Sequence, residues 1–411
     1  MNILFLSPWL PWPPFGGALI RILETLRSVS RQHRITLLTL LRDPGQTQHL
    51  NQLDGLCERI IATPLSDSTV PVLRRLSMGL LRGRPLIQSM HYDRQLAEHV
   101  RRLTSQHPYD IIHVEFSFMA PYMPFVSPQS TAKRVLVMHN VESLRFSREL
   151  QFASGARRLA LLTDHWGFPS WEEACLPGFD AVLAVSKLEE AWIRTHAPGA
   201  AVAVLPNGVN VNQFTPLDPA PESRTVVFTG LMNYPPNVDA VVWFCDAVLP
   251  VVHRTHPDVL FRIVGDKPTP AVLALGTRAG VSVTGRVPDV RPHLADSLAL
   301  VVPVRSGAGT RLKILEAMAM QRPVVSTSLG AEGLDVAHGK HLLLGDTTEA
   351  LASHIVGLVD RPDQAQQIAV AGRELAQAKY DWRICLDPLE DVYQSLAGSN
   401  QQGRGSRTKV S

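Results

Sequence analysis

The sequence predicts an α/β fold with two doubly wound parallel-sheet domains that face each other across a cleft. Three observations support this prediction. Short runs of β-branched and aliphatic residues alternate with longer stretches of helical periodicity, this alternation occurs twice, and a segment rich in Pro, Asn and Gly separates the two series. With 411 residues the chain is also too long for one ordinary hydrophobic core, so two domains are expected.

The first series starts at the amino terminus. Its candidate strands are 3–7, 34–40, 110–115, 134–139 and 181–186, and helical patterns cover segments that include 18–32 and 187–196. Because strands that alternate with helices pair in parallel, this series predicts a domain over 1–205 whose sheet is covered by helices.

The second series predicts a domain over 225–380, joined to the first by a linker over 206–224. Its candidate strands are 225–230, 260–265, 281–285, 298–304, 323–327 and 341–345, with helices near 237–249, 310–320 and 348–359. After this domain we expect a helix over 381–397 that packs back towards the first domain. A polar, glycine-containing tail over 398–411 is expected to be disordered.

The composition limits the possible partners and locations. Hydrophobic residues make up 45% of the chain and charged residues 19%, and the formal charge of +3 is too small to indicate a nucleic-acid partner. The four cysteines lie far apart without metal-ligand spacing, so reduced thiols are expected. The amino terminus has no cationic leader, and no uninterrupted apolar span approaches about 18 residues. These features predict a cytoplasmic protein.

A basic stretch over 71–102 contains seven arginines against two acidic residues, Asp93 and Glu98. It predicts either a basic amphipathic face that rests on an anionic membrane, or a helix with a solvated basic side. Gly79 and Gly83 weaken a long interfacial helix, so both interpretations stay open.

A glycine loop between a predicted strand and a predicted helix is the strongest candidate site. Gly307 and Gly309 would expose backbone N–H groups, and the helix expected to begin near Thr310 would direct its positive end at the loop. Arg311 and Lys313 add mobile positive charge. This combination predicts a diphosphate site.

Glu316 follows two helical turns beyond the second glycine, where its carboxylate can accept hydrogen bonds from the vicinal hydroxyls of a ribose. Diphosphate and ribose together indicate a nucleotide. The alternatives are a solvated Lys313 and a Glu316 engaged in a surface ion pair. A dinucleotide fingerprint is excluded because Leu312 occupies the position of its third glycine, and the spacing of a P-loop is absent.

Several motifs together resemble the GT-B retaining glycosyltransferases of glycosyltransferase family four. The main one is GTRLKILEAMAMQRPVVSTSLGAEGL over 309–334, which is similar to the end of the E-x7-E signature of that family. The resemblance covers most of the chain and extends to PPFGG (13–17), MHNVES (138–143), AVSKLE (184–189), LPNGV (205–209), 227–244 and 283–304. It implies the GT-B fold, in which two Rossmann-like domains bind an acceptor and a nucleotide sugar.

The resemblance also implies roles for individual residues. Glu316 would hold the nucleotide ribose, and Gly16 and Gly17 would approach the diphosphate or the donor sugar. Arg286 and Val287 would contact the base, largely through their backbone. The match also places Asn207 of the LPNGV motif among the substrate-binding residues, together with Gly307, Gly309 and Thr310.

His139 is the last residue of the predicted strand 134–139 and matches a position where the family often carries a histidine near the donor sugar. An imidazole at the carboxyl edge of a sheet can also hydrogen-bond a sugar hydroxyl or take part in proton transfer. The alternative is a structural histidine, because other histidines such as His113 also lie near strand ends.

The sequence departs from the family pattern at two places. Ala308 stands where the first glutamate of the E-x7-E signature is expected, so the donor sugar must be contacted by other groups. The segment GLMNYPPN (230–237) lacks the Arg and Lys that many members carry there. We expect Arg311 and Lys313 to supply the missing positive charge from the other side of the site.

The expected reaction is sugar transfer from a nucleotide-diphosphate donor to an acceptor hydroxyl, with the retention that the family implies, and Arg311, Lys313 and His139 are the candidate catalytic residues. No D-x-D motif occurs, so neither a metal nor another cofactor is expected. The acceptor would be a saccharide or a lipid-linked molecule. The alternatives are a nucleotide-sugar epimerase, a phosphorylase of the same fold, and a non-catalytic sugar-nucleotide-binding protein.

Overall fold

The computed structural model of the protein describes residues 1–65, 76–77, 85–151, 153, 155–217 and 223–405. The chain forms two compact units, Met1–Pro206 with Leu386–Ser411, and Asn207–Cys385. Part of the basic stretch over 71–102, for which a membrane-binding face and a solvated helix were both considered, lies outside the described residues, including Arg74, Arg75, Arg82 and Arg84.

The first unit has a sheet of seven parallel strands in the order β3-β2-β1-β4-β5-β6-β7. The strands are β1 (Asn2–Ser7), β2 (Arg34–Leu41), β3 (Arg59–Pro64), β4 (Ile111–Glu115), β5 (Lys133–Met138), β6 (Ala181–Ala184) and β7 (Val202–Val204). The helices are α1 (Gly17–Val29), α2 (Leu86–His91), α3 (Arg94–Gln106), α4 (Glu142–Leu150), α5 (Gly155–Cys175) and α6 (Lys187–His196), with 3₁₀ turns at Pro44–Leu53, Ser117–Phe125 and Leu176–Gly178.

The second unit has a sheet of six parallel strands in the order β10-β9-β8-β11-β12-β13. The strands are β8 (Thr225–Thr229), β9 (Leu260–Val264), β10 (Val281–Gly285), β11 (Ala299–Val302), β12 (Val324–Ser326) and β13 (Leu343–Leu344). The helices are α7 (Pro235–Trp243), α8 (Leu249–Val252), α9 (Pro270–Leu275), α10 (Arg291–Ala295), α11 (Leu312–Ala319), α12 (Thr348–Asp360) and α13 (Pro362–Lys379), and a π-helical turn, Phe244–Val248, joins α7 to α8. The last helix, α14 (Trp382–Gly405), has its first four residues in this unit and the rest in the first unit.

Burial on both faces explains why the central strands are mainly apolar. Every residue of β4 and β8 is buried, as expected for parallel strands that helices cover on both faces. The strand order reverses between β1 and β4 in the first sheet and between β8 and β11 in the second. Such switch points open a crevice beyond the carboxyl ends of the strands, where doubly wound folds bind ligands.

The structure confirms the predicted α/β class with two parallel-sheet Rossmann-like domains. The sequence analysis did not predict β3 and β7. Both strands lie at the edges of the sheet and are only partly buried, so their sequences lack the mainly apolar pattern of the central strands.

Three boundaries differ from the expectations. The helix α11 begins at Leu312, with Arg311 as its N-cap residue, rather than near Thr310. Residues 207–217, expected in the linker, belong to the second unit, where Val209 forms a bridge with Asp381. The helix α14 extends to Gly405, within the tail over 398–411 that was expected to be disordered, because extending an existing helix is far less costly than starting one, and residues 406–411 of that tail lie outside the described residues.

The helix α14 begins in the second unit and continues into the first from Leu386 onward. Within the first unit its Glu390 carboxylate lies 2.6 Å from Nε2 of His33, and its Tyr393 hydroxyl lies 2.6 Å from Nδ1 of His113. Both side chains lie on one face of the helix, three residues apart.

One helical segment of the described chain, Pro235–Val252, is long and apolar enough by length and composition to cross a membrane. It contains two aspartates, Asp239 and Asp246, and much of it is buried in the second unit. A core helix passes the same criterion, so this segment is weak support for a membrane span.

Candidate active site

The loop between β11 and α11 makes a tight turn that depends on glycine. Gly307 and Gly309 have φ values of 95° and 83°, in the left-handed region that favours glycine. A Cβ atom at Gly307 would lie 3.1 Å from Nη2 of Arg311 and 3.2 Å from Cγ of Pro236. The chain therefore approaches neighbouring groups closely at the place where the sequence predicted an anion site.

Arg311 is tied to this loop rather than mobile, which corrects the expectation from the sequence. Its Nη1 donates a hydrogen bond to the carbonyl oxygen of Ala308 at 2.6 Å, and Nη2 donates to that of Ser306 at 3.4 Å. The guanidinium group thus braces the loop and holds positive charge beside it.

Thr310 has a buried hydroxyl oxygen, Oγ1, with no hydrogen-bond partner among the described residues. Buried hydroxyl groups are normally satisfied, so an unsatisfied one indicates a place for a ligand or water. The first N–H groups of α11 begin two residues later and also lack partners within the helix. The loop and the helix start therefore offer several groups that can bind an anion.

Lys313 extends from α11 towards the carboxyl end of β8. Its Nζ lies 3.7 Å from the centre of the Phe228 ring and 3.4 Å from Oδ1 of Asn237. A Cβ atom at Gly230 would lie only 3.0 Å from the same nitrogen. The ammonium group therefore lies beside the segment 230–237, which has no cation of its own.

Lys313 and Glu316 are neighbours on one face of α11, three residues apart. Burial and, to a smaller extent, the nearby charge of Arg311 lower the pKa of Lys313 to about 7, although Glu316 opposes the shift. Burial raises the pKa of Glu316 to about 7, against the effect of Lys313. No described residue donates a hydrogen bond to the Glu316 carboxylate, which leaves it available to a ligand.

The other candidates in the second unit lie apart from this loop. Arg286 and Val287 follow β10, the edge strand, where Gly285 has a φ of 69°. Because all strands are parallel, both residues lie beyond the same edge of the sheet as the glycine loop. Asn207 is buried at the start of the second unit, and the following Gly208 packs closely against Trp382.

In the first unit, Gly16 and Gly17 connect β1 to α1 beyond the carboxyl edge of the sheet. Gly16 has a φ of 100° and is the N-cap residue of α1, where its carbonyl oxygen accepts a hydrogen bond from the N–H of Ile20 at 3.1 Å. Gly17 begins the helix and is exposed. The positive φ explains the glycine at position 16.

His139 lies directly after β5 and is almost fully buried. Its Nε2 lies 2.5 Å from Oε2 of Glu115, the last residue of β4, and the Phe116 ring stacks on the imidazole with centres 3.8 Å apart. Burial lowers the pKa of His139 despite the opposing effect of Glu115, so the imidazole is neutral at pH 7. Sequence analysis missed Glu115, although a carboxylate within the apolar strand pattern of 110–115 was a signal.

A second buried carboxylate fixes the segment after His139. Glu172 of α5 accepts hydrogen bonds at 3.1 Å from the backbone N–H groups of Glu142 and Ser143 and from the Ser117 hydroxyl. These bonds cap the amino end of α4, which begins three residues after the histidine. Burial raises the pKa of Glu172 to about 7.

Comparisons with known proteins agree on the class of protein. The family described as Glycosyltransferase Family 4 matches residues 15–213, and that described as Glycosyl transferases group 1 matches residues 223–361. The two matches together cover most of both compact units. The protein is thus a glycosyltransferase.

A curated relative and two solved structures support this assignment. A phosphatidyl-myo-inositol mannosyltransferase of Mycobacterium leprae is 31% identical over 241 residues, which cover 56% of this chain and 61% of that protein. Sucrose-phosphate synthase from Thermosynechococcus elongatus has a TM-score of 0.73 at 18% identity, over 97% of this chain and 100% of that one. Anabaena HepE in complex with UDP and glucose has a TM-score of 0.63 at 16% identity, over 96% of this chain and 100% of that one.

These matches establish the family and the fold. The chain belongs to glycosyltransferase family four, as its motifs predicted, and it has the GT-B fold. The structural neighbours are too distant in sequence to establish more than the fold, and the chain spans about three fifths of the length of the mannosyltransferase.

Proposed function

We propose that this glycosyltransferase moves a sugar from a nucleotide-diphosphate donor to an acceptor hydroxyl, with retention of the anomeric configuration. The single observation that carries the proposal is the position of Lys313, whose ammonium group lies at the end of β8 beside a segment without cations. That position is the switch point of the second sheet, where doubly wound folds bind nucleotides.

The proposed donor site uses the groups around the glycine loop. Glu316 accepts hydrogen bonds from the ribose hydroxyls, and the orphaned hydroxyl of Thr310 donates to a phosphate oxygen. The backbone of Gly307 and Gly309 lies close to the diphosphate, and Arg286 and Val287 contact the base. HepE, a structural neighbour, was solved with UDP and glucose, which supports a nucleotide sugar as the donor class.

Breaking of the glycosidic bond places negative charge on the departing diphosphate. Lys313 stabilises that charge directly. The guanidinium group of Arg311 holds the glycine loop in place by hydrogen bonding and keeps positive charge beside the loop. This arrangement supplies positive charge without a metal ion, so we propose a reaction that requires none. His139 hydrogen-bonds a hydroxyl of the donor sugar, and Gly16 and Gly17 allow close approach of the donor.

The proposed acceptor is a saccharide or a lipid-linked molecule used in polysaccharide or glycolipid biosynthesis. The mannosyltransferase relative acts, by its name, on phosphatidyl-myo-inositol, which supports a membrane-borne acceptor. Helix α5 exposes Leu159 and Trp166 by 67% and 80%, seven residues apart on one helical face, and Arg158 next to them is exposed. Such a face suits peripheral contact with an anionic membrane from the cytoplasmic side.

Donor turnover tests the proposal. The protein is incubated with UDP-, GDP- and ADP-sugars, with and without candidate acceptors, and the free nucleoside diphosphate is measured. A transferase releases the diphosphate and forms a glycoside whose anomeric configuration NMR reports. An epimerase returns a sugar nucleotide, a phosphorylase requires inorganic phosphate, and a binding protein changes only its thermal stability. Any of these three results, or an inverted product, contradicts the proposal.

A further inference from the structure

Strand β4 carries two polar residues in an otherwise apolar core. His113 and Glu115 are fully buried and lie two residues apart, so their side chains point to the same face of the sheet. In the neighbouring strand, Val137 pairs with Glu115, and His139 lies two residues further along. The topology thus places both imidazoles beside one carboxylate.

Hydrogen bonds connect these groups in a single row. Glu115 Oε1 lies 3.1 Å from Nε2 of His113, and Oε2 lies 2.5 Å from Nε2 of His139. The row ends at Tyr393 of α14, whose hydroxyl lies 2.6 Å from Nδ1 of His113. Aromatic stacking fixes the planes of both imidazole rings. The Phe5 ring lies on His113 with ring centres 4.4 Å apart, and the Phe116 ring lies on His139 with ring centres 3.8 Å apart.

The donors and acceptors of this row fix where each proton lies. Burial raises the pKa of Tyr393 well above its ordinary value, so its O–H donates to Nδ1 of His113. The proton of His113 is therefore on Nε2, which donates to Glu115. Burial alone would raise the pKa of Glu115, but the hydrogen bonds that the two imidazoles donate to its oxygens lower the pKa, so the carboxylate is ionised and accepts from both rings.

The same reasoning assigns the tautomer of His139. Its proton lies on Nε2, which donates to Glu115, and Nδ1 carries the lone pair. Within the described part of the chain, Nδ1 of His139 has no hydrogen-bond partner. Two further charged groups act on the ring, since Arg21 of α1 lowers and Glu142 of α4 raises its pKa, and burial keeps it neutral.

We infer that Glu115 is a positioning residue that holds His139 in the tautomer whose Nδ1 accepts a hydrogen bond from the substrate, and that His113 and Tyr393 hold Glu115 in place. The inference rests on the proposed function, in which His139 meets the donor sugar. It specifies that the histidine accepts a hydrogen bond from a sugar hydroxyl rather than donating one. It also assigns a role in the site to the carboxyl-terminal helix.

The isosteric substitution Glu115→Gln tests this inference. An amide has one acceptor and one donor end, so one of the two imidazoles must accept at Nε2 and carry its proton on Nδ1. We expect kcat to fall about 10- to 100-fold, the equivalent of one buried hydrogen bond, while the donor Kd changes less than about threefold. The double variant Glu115→Gln/His139→Ala should be no slower than His139→Ala, because both residues act through one interaction.

A matched control and a direct readout separate positioning from folding. Glu390→Gln removes a carboxylate–imidazole bond of the same kind, to His33, in the same unit, and should lower the melting temperature without changing kcat. Nitrogen-15 NMR of the histidine rings should show His139 protonated at Nε2 in the wild type and a population protonated at Nδ1 in Glu115→Gln. If Glu115→Gln does not fold, Tyr393→Phe is expected to give a smaller decrease in kcat, about three- to tenfold.

The outcomes distinguish this inference from the proposed function. Wild-type kcat and an unchanged His139 tautomer in Glu115→Gln would overturn the inference while the proposed function stands. A wild-type protein that releases no nucleoside diphosphate from any donor would contradict the proposed function, and the NMR experiment would still decide the tautomer. A Glu390→Gln variant as slow as Glu115→Gln would show that kcat reports general stability and would overturn the positioning role.

Discussion

The ammonium nitrogen of Lys313 lies 3.4 Å from the amide oxygen of Asn237, at the carboxyl end of β8. Lys313 belongs to α11 and Asn237 to α7, and the strands that precede these helices, β11 and β8, are neighbours in the sheet. The lysine of the β11–loop–α11 segment thus places positive charge next to the β8–loop–α7 segment. Lys313 can therefore supply the positive charge for a diphosphate beside segment 230–237, which has no cation of its own.

The substitution Glu316→Ala should weaken donor binding. A carboxylate that bridges two ribose hydroxyls makes charge-assisted hydrogen bonds worth roughly 1.5–3 kcal/mol, so the donor Kd should rise about 10- to 150-fold. Isothermal titration calorimetry measures this change, and Glu349→Ala, which removes an exposed glutamate of the same unit, is the control. An unchanged Kd in a folded Glu316→Ala variant would show that Glu316 does not hold the ribose.

The affinity for a nucleotide sugar should be greatest near neutral pH. Above about pH 7, Lys313 is mainly neutral in the free protein, so binding a diphosphate requires proton uptake and the affinity falls by up to about tenfold per pH unit. Below about pH 7, Glu316 is mainly protonated and loses its strength as an acceptor, so the affinity falls again. Because Lys313 and Glu316 interact, the acidic and alkaline limbs of the pH profile give apparent pKa values that belong to the pair of residues and not to either one alone.

Titration of a UDP-sugar from about pH 5.5 to about pH 8.5 measures this profile, because its diphosphate diester does not titrate in that range. Glu316→Gln should remove the acidic limb and leave the alkaline limb. A flat profile in the wild type would contradict the assignment of both groups to the donor site.

Activity should survive removal of divalent metal ions. In our account Lys313 and the braced Arg311 stabilise the departing diphosphate, so EDTA should leave kcat unchanged. The measurement is nucleoside diphosphate release in EDTA, compared with the same assay after addition of Mg²⁺ or Mn²⁺. Loss of turnover that either metal restores would show that the reaction needs a metal.

The sequence predicted most of the fold because parallel strands buried on both faces have continuous apolar runs. It predicted the glycine loop and the position of Glu316 because the strand, loop and helix are contiguous. It did not predict that Arg311 bonds to the carbonyl oxygens of its own loop, since that contact depends on the positive φ of Gly307. The contact between Lys313 and Asn237 joins segments 76 residues apart, which no local pattern reveals.

The hydrogen-bonded row around His139 likewise depends on contacts that local sequence patterns do not reveal. The sequence places a histidine after β5 and two polar residues in β4, but their partners are fixed only by the register of the strands. Tyr393 lies 280 residues from His113, on a helix that begins in the other unit. Contacts of this kind come from tertiary packing and cannot be derived from spacing.

Vesicle binding should depend on the basic stretch and on α5. If the acceptor is membrane-borne, Arg74, Arg75, Arg82 and Arg84 contribute about 1 kcal/mol per charge near an anionic surface, and Trp166 adds an interfacial anchor. Co-sedimentation with vesicles of increasing anionic-lipid content should show binding that weakens at about 0.5 M salt.

Two variants decide that prediction. A protein with the four arginines changed to Gln, and separately Trp166→Ala, should bind these vesicles more weakly than the wild type. Vesicle binding that does not change with the anionic-lipid content, or variants that bind as well as the wild type, would favour an acceptor that is not attached to a membrane.

Lys313 is proposed to stabilise the diphosphate as the glycosidic bond breaks, and the kinetics of Lys313→Ala measure this role. Charge on the diphosphate grows in the transition state, so kcat should fall about 100-fold, a larger factor than the accompanying rise in the donor Kd. Lys340→Ala, which removes an exposed lysine of the same unit, should behave as the wild type. A variant with normal kcat and only a raised KM would contradict the claim, because Lys313 would then bind ground state and transition state equally.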